Sequence, residues 1–345
     1  MAKAARAIVH LTCCGKQSIA AIVLDSKGSI VYPLHQLRHH RKALSKSQLT
    51  QLFARLRLNK ITNSLALAIA ISIATITATA AVAPQVRITP STAVLGDTIK
   101  VVIETEAGET PPTVSMQQQT YPTFPIGQNR FRALLPTTPL DKPGTWDIKV
   151  NPGDGEVQNL SLRVNGRTFP VQRLRIRNTR SGGLQPTEYE LNRVRTFRQL
   201  VTPEKYWNGA FVRPNRGRIS TGYGVRRYYN GVFANDYFHR GLDYAGGMGS
   251  PVFAPAAGRV ALVGRLADGF RLHGNTIGID HGQGVISVML HLSRIDVREG
   301  DFVQPGQVIG AVGSTGASTG PHLHWGLYVN GKSVDPLPWK SQTFE

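Results

Sequence analysis

The 345-residue chain has only two cysteines, Cys13 and Cys14, side by side near its start. Adjacent cysteines do not build a disulfide framework, so everything after residue 14 has to be stabilised by its core. Acidic side chains are also scarce: 21 Asp and Glu face 40 Lys and Arg, a formal charge of +19. Eleven of those Lys and Arg lie in residues 1–60, against Asp25 alone. No zinc-finger, RNP-type or helix-turn-helix signature accompanies the basic excess, so nucleic acid is not implied as a partner. Exposure to an anionic cell envelope is the simpler reading. The chain has no HExxH, which excludes the helix-borne zinc site built on that motif. Lysine is missing from Gly241 to Gly331.

Charge is absent from residues 61–83, which are rich in Ala, Ile and Thr. As a helix rising 1.5 Å per residue this segment is long enough for the ~30 Å bilayer core. Arg55, Arg57 and Lys60 precede it, as a positive-inside segment requires. It closes on the small residues Ala78-Thr-Ala-Ala-Val-Ala83, which offer A-x-A cleavage sites; a cut after Ala83 would leave Pro84 first, so Ala80 is the better site. The segment is read as a signal peptide or an uncleaved membrane anchor, with export to the periplasm or cell envelope either way. Residues 1–60 are a basic extension, either a cytoplasmic tail or upstream of a true start near Leu52.

Residues 85–178 alternate apolar and polar side chains between Gly- and Pro-containing turns, as in Lys142-Pro-Gly-Thr-Trp-Asp-Ile-Lys-Val150. About seven short strands in this length suit an Ig-like sandwich. Residues 179–205 form a linker with a helix-compatible stretch from Pro186 to Leu200. In 206–345, short runs such as Val285-Ile-Ser-Val-Met-Leu290 and Gln307-Val-Ile-Gly-Ala-Val312 again specify strands. The fold class expected is all-β: an Ig-like β-sandwich followed by a barrel-sandwich-like β domain, after an N-terminal signal or anchor helix.

Two stretches of this last region carry chemistry, His239-Arg-Gly-Leu-Asp243 and Gly320-Pro-His322-Leu-His324-Trp325, with His291 between them in Met-Leu-His-Leu-Ser. Zn²⁺ accepts imidazole nitrogen and carboxylate oxygen, and a catalytic zinc keeps three protein ligands and an open position. The set supplies three ligands and leaves two imidazoles for proton transfer. On strands, residues two or four apart share a face. Both pairs are therefore expected to project from strands into one groove, with Leu323 and Trp325 pointing into a core. His281 reads as a turn residue between strands, and His273, in a polar loop, is assigned nothing.

The stretch Phe211 to Trp339 resembles the lysostaphin-type, LytM-like zinc endopeptidases of metallopeptidase family 23. The matching residues are Ile219-Ser-Thr-Gly-Tyr-Gly-Val-Arg-Arg227, Phe238-His-Arg-Gly-Leu-Asp-Tyr244, Pro251-Val-Phe-Ala-Pro-Ala-Ala-Gly258, His291-Leu-Ser293 and Gly313 to His324. The resemblance implies His239, Asp243 and His324 as ligands of one Zn²⁺, with His291 and His322 flanking the attacking water. One of these two would take the water's proton and the other would stabilise the oxyanion; the sequence leaves their order open. The resemblance also implies peptidoglycan as substrate. Trp325-Gly326 stands where the family commonly has Phe-Glu, and Met289 where it has an aromatic. A tyrosine beside the oxyanion could be Tyr223, Tyr228, Tyr229 or Tyr237.

Two readings compete. A swinging-arm carrier, suggested by Val297 to Gly310, needs a lysine at a hairpin tip, which Gly241 to Gly331 does not offer. A catalytically silent LytM-type regulator that activates a wall amidase usually lacks one of the five metal-site residues, and all five are present here.

Overall fold

A computed structural model describes residues 7–12, 18–24, 85–105, 110–153, 156–175 and 185–344. The chain divides into two units, Met1–Ala80 and Ala81–Glu345. In the first, β1 (Ala7–Thr12) pairs antiparallel with β2 (Ser18–Leu24). The expected signal or anchor segment, 61–83, lies outside the described residues. None of the described helices is long and apolar enough to cross a membrane.

The second unit begins with nine strands: β3 (Gln85–Thr89), β4 (Thr92–Val94), β5 (Thr98–Glu104), β6 (Thr113–Met116), β7 (Gln119–Tyr121), β8 (Phe124–Gly127), β9 (Arg130–Pro136), β10 (Gly144–Asn151) and β11 (Gln158–Asn165). They form two sheets, ordered β3-β5-β9-β8 and β4-β11-β10-β6-β7, with β4 parallel to β11. In β10 the alternation read from the sequence is realised: Trp146, Ile148 and Val150 are buried while Thr145, Asp147 and Lys149 are exposed. The inward residues of both sheets, among them Ile99, Ile103, Leu135, Trp146 and Ile148, make one core.

β12 (Val171–Leu174) leads out of the sandwich, and α1 (Glu188–Arg198) follows. Thr187 caps α1 by accepting from the Glu190 N–H, and Arg195 and Arg198 sit in its last turn, where cations suit the helix dipole. Next come β13 (Arg218–Thr221), β14 (Arg226–Tyr229), β15 (Val232–Phe233), β16 (Leu242–Ala245), β17 (Pro251–Phe253), β18 (Gly258–Gly264), β19 (Asn275–Gly282), β20 (Val285–Leu292), β21 (Arg294–Ile295), β22 (Phe302–Val303), β23 (Val308–Ala311), β24 (Leu323–Val329) and β25 (Lys332–Val334), then the short α2 (Pro336–Trp339). The main sheet runs β13-β16-β24-β20-β19-β18-β22 with β25 on β24, and a small sheet β17-β23-β21 shares its core. The all-β expectation is met.

The central strands of the main sheet are buried on both faces. Leu242, Tyr244, Met289, Leu323, Trp325 and Leu327 point into the core shared with the small sheet. On the opposite face Ile286, Val288, Leu290 and Tyr328 pack with Leu262 and with Phe197 of α1. α1 thus covers part of the face that also carries Asp243 and His324.

His281 corrects the turn reading. It is a fully buried residue of β19, and the turn falls after it at Gln283-Gly284. Its Nδ1–H donates to the Ala257 carbonyl (2.8 Å), and Ser287 Oγ donates to its Nε2 (2.8 Å) while accepting from Trp325 Nε1 (3.2 Å).

Sandwich and second β-region share a tight interface. β9 is buried on both sides: Ala133 and Leu135 enter the sandwich core, Leu134 the other. Arg132 donates to the Phe344 carbonyl (2.6 Å) and to Gln283 Oε1. Trp339 donates to Thr98 Oγ1 (3.1 Å) and stacks on Phe344 at 4.1 Å. Trp339→Ala is expected to cost about 3–5 kcal/mol in equilibrium denaturant unfolding, the range for a fully buried aromatic. Val232→Ala, at a 72% exposed side chain, should stay within about 0.5 kcal/mol. Equal, small losses in both would show that the cluster contributes little.

The depressed pKa of His281 gives a pH signature. Burial, only partly offset by the hydrogen bond to Ala257, lowers it to about 4. The unfolded chain, with an ordinary imidazole near 6.5, binds the proton first as pH falls. Stability is therefore full above about pH 6.5 and falls between there and about 4, by roughly 3 kcal/mol from this group. His281→Gln should flatten that part of the stability curve; an unchanged slope would assign the acid sensitivity elsewhere.

Candidate metal centre

The site is built from a cross-strand pair, a loop residue, and two further histidines, one just ahead of β24 and one near the end of β20. In the β16–β24 register Asp243 stands opposite His324, flanked by Leu242 opposite Trp325 and Tyr244 opposite Leu323. Because side chains alternate, the four flanking residues enter the core and the polar pair faces the other way. Leu323 and Trp325 thus point where the sequence had them.

His239 differs from expectation: it precedes β16, in a loop and not on a strand. Its main chain exchanges hydrogen bonds with the 224–225 segment, Gly224 N to His239 O at 2.8 Å and His239 N to Val225 O at 2.9 Å. Gly241 makes the bend possible, since a Cβ there would lie 2.3 Å from the Trp325 carbonyl oxygen. His239 Nδ1–H donates to the Gly222 carbonyl (2.8 Å), which fixes the tautomer and leaves the Nε2 lone pair facing inward.

Three atoms converge there. His239 Nε2 is 2.9 Å from Asp243 Oδ1 and 3.0 Å from His324 Nδ1, and that nitrogen is 2.9 Å from the same Oδ1. All three residues are buried. The donor set suits a metal: with zinc bonds of about 2.0–2.2 Å, the ligand edges of a tetrahedron are about 3.3–3.6 Å, a modest expansion of this triangle. Burial lowers His324 to about 4, which keeps its ring neutral.

The two remaining histidines stand beside the triangle. His322 lies just ahead of β24; its Nδ1–H donates to the Gly320 carbonyl (2.8 Å), and its Nε2 is 3.9 Å from Asp243 Oδ1. His291, near the end of β20, donates from Nδ1 to the Thr315 carbonyl (2.8 Å). The two ring centroids are 4.9 Å apart. In both, the carbonyl partner claims Nδ1–H and leaves Nε2 as the free acceptor. Burial, reinforced by His324 and His322, lowers His291 to about 3, so it is a neutral imidazole. All five sequence-selected residues therefore come together.

Of the four tyrosines, Tyr223 is committed elsewhere: it is buried and its hydroxyl donates to the Ser333 carbonyl at 2.7 Å. Tyr237 accepts from Arg227 (2.6 Å), whose Nε also donates to Gln172 of β12. β12 pairs in parallel with β14, so chain leaving the sandwich borders the loop that precedes His239. The sequence reading missed His273 and Glu190. The His273 ring bonds Glu190 Oε1 at 2.6 Å, and its carbonyl accepts from the His291 N–H at 3.2 Å. A lone Glu 83 residues upstream gave no signal by which to find the pair.

A β-sheet site with a buried His₂Asp cluster and two further imidazoles defines a metallopeptidase-like protein. Residues 237–336 match Peptidase family M23. The crystal structure of a Pseudomonas aeruginosa protein assigned to peptidase M23 is similar over 72% of this chain and 96% of that one, at 30% identity and a TM-score of 0.54. The chain belongs to this family. The DD-carboxypeptidase/endopeptidase Mpg of Neisseria meningitidis is 42% identical over 120 residues, 35% of this chain and 26% of the relative. The peptidoglycan DD-endopeptidase ShyC of Vibrio cholerae is 37% identical over 119 residues, 34% of this chain and 26% of the relative. The match thus spans about a quarter of the length of these curated relatives.

Proposed function

We propose that the chain is a zinc-dependent endopeptidase that hydrolyses peptide bonds in bacterial peptidoglycan stems or cross-links, outside the cytoplasm. The observation that carries the reading is the convergence of His239 Nε2, Asp243 Oδ1 and His324 Nδ1, with the free Nε2 atoms of His291 and His322 beside them. The substrate class is supported by the name of the Vibrio relative.

His239, Asp243 and His324 hold the metal in this reading. Zinc, when bound, supplies Lewis acidity toward the scissile carbonyl and lowers the pKa of water. The protein's own part is proton handling. A neutral imidazole at His291 or His322 accepts the proton of the attacking water at Nε2. The other, protonated at Nε2 from solvent, donates a hydrogen bond to the developing oxyanion, and the proton taken from water passes to the leaving amine. Thr315 and Gly320, through their carbonyls, keep both rings oriented for this work.

Residues 206–345 form the peptidase domain in this proposal, 85–178 an Ig-like module and 179–205 the connection. The Ig-like reading is supported by the strand orders β3-β5-β9-β8 and β4-β11-β10-β6-β7, which follow the ABED and GFC plan with an added edge on each side. Residues 61–83 direct export or anchor the chain. The presence of all five polar site residues favours an enzyme over a silent regulator.

Zinc content and release of soluble fragments from purified peptidoglycan test this. The wild-type chain should bind one zinc and cut, and chelation should abolish cutting. His239→Ala, Asp243→Ala and His324→Ala should lose both metal and activity. His291→Ala and His322→Ala should keep zinc while the rate falls about 10²–10⁴-fold. Full activity in His322→Ala would sink the division of roles, and a zinc-loaded wild type that never cuts would favour the regulator.

A further inference from the structure

We infer that Glu190, on the helix between the two β-regions, is a positioning residue for His291. The inference rests on the acid/base role proposed for that histidine. Glu190 lies outside the residues 237–336 that match the family. Its side chain is fully buried. Oε2 accepts from the N–H of Arg271 (2.9 Å) and of Leu272 (3.1 Å), and Oε1 accepts from the N–H of His273 (2.7 Å) and from its Nδ1–H (2.6 Å). Successive main-chain N–H groups curved round an anion make a nest. Here the anion is the protein's own carboxylate, held ionised: burial would raise its pKa, but the His273 ring and the main-chain donors outweigh this and lower it to about 2.

The nest is tied to the site on its far side. The His273 carbonyl accepts from the His291 N–H (3.2 Å), and the Leu272 carbonyl from Ala317 N–H (2.9 Å). Asn275 N–H donates to Thr315 Oγ1 at 2.9 Å, and the Thr315 carbonyl in turn orients the His291 ring. The two loops touch at Gly274, where a Cβ would lie 2.5 Å from the Thr315 carbonyl. His291 itself has φ +66°, a left-handed conformation that a residue with a Cβ holds only when its surroundings enforce it. Enforcement comes from the 271–275 and 315–317 loops, and Glu190 anchors the first of them. A second contact braces the same end of the helix: Thr187 Oγ1 donates to the Gly269 carbonyl (2.9 Å).

Glu190→Gln keeps length and one acceptor oxygen but sets an amide donor against main-chain donors. Glu190→Ala removes the anchor. In the full, zinc-loaded chain acting on a soluble cross-linked muropeptide, both should lower kcat, Glu190→Ala by about 10²-fold. KM should stay within about twofold and zinc content should not change. The imidazole ¹⁵N–¹H signals of labelled histidines, with His291 assigned through His291→Ala, give a reading that needs no substrate. The His291 Nδ1–H signal should shift or broaden in Glu190→Gln while the His239 Nδ1–H and His324 Nε2–H signals stay. Should Glu190→Ala fail to fold, Glu190→Gln decides. Wild-type kcat, or a fall in kcat with an unmoved His291 signal, overturns the inference. A wild type that cuts no peptidoglycan overturns the proposed function instead, and the His291 signal still decides the role of Glu190.

Discussion

The cross-strand pairing of Asp243 with His324 is the constraint from which the rest of the site follows. It sets a carboxylate oxygen and an imidazole nitrogen 2.9 Å apart in a buried place. His239, pinned through Nδ1 to Gly222, completes a triangle of atoms that present lone pairs to one another. Such an arrangement is unfavourable unless a positive charge sits among them, because buried acceptors without a donor or cation lose their solvation with no return. A one-residue slip of β24 would turn His324 into the core and Leu323 or Trp325 into the groove. What prevents the slip is the apolar alternation itself: Leu242, Tyr244, Leu323 and Trp325 all enter the core, and none of them tolerates water. The metal-ready geometry is thus a by-product of core packing one side chain away.

Period-two spacing explains which parts of the site were legible in the sequence. The i, i+2 step of His322 and His324, and the placement of Leu323 and Trp325, follow from strand geometry alone. The i, i+4 step of His239 and Asp243 brings them together for a different reason, a bend at Gly241 against the Trp325 main chain. His281 was misread because Gly282, Gln283 and Gly284 promise a turn. The turn falls at Gln283-Gly284, and His281 remains in the strand, bonded to Ala257 and Ser287. Glu190 and His273 were invisible for a stronger reason: neither belongs to a motif, and only the fold brings α1 over the 271–273 loop.

The two β-regions were read as separate modules by composition, yet the chain joins them closely. β9 alternates between two cores, so its central residues cannot leave either without exposing apolar area. Trp207, Phe211, Trp339 and Phe344 pack edge to face or stacked around the same seam. Aromatic contacts of this kind contribute beyond their buried area, about 0.5–1.5 kcal/mol each. Independent motion of sandwich and peptidase would have to break this cluster and the buried hydrogen bonds of Arg132 together.

The same economy of placement applies to the walls of the site. The five polar residues come from the part of the chain that the family defines, but some of their surroundings do not. β12 contributes Gln172 to Arg227, which bonds Tyr237 two residues before His239. α1 contributes Glu190 to the loop behind His291 and Phe197 to the sheet face beyond it. A ligand triangle held by core packing needs little outside help, since its register is fixed by apolar side chains. A histidine at φ +66° is different: hydrogen bonds from neighbouring loops hold its main chain and its ring. Those loops are only as rigid as what they rest on. For the 271–273 loop that support is a helix outside the family's own residues. In the proposed reading, the metal-holding and proton-handling halves of the site would therefore depend on different parts of the chain, the first on the β16–β24 pair and the second on α1 and the 271–273 loop it supports.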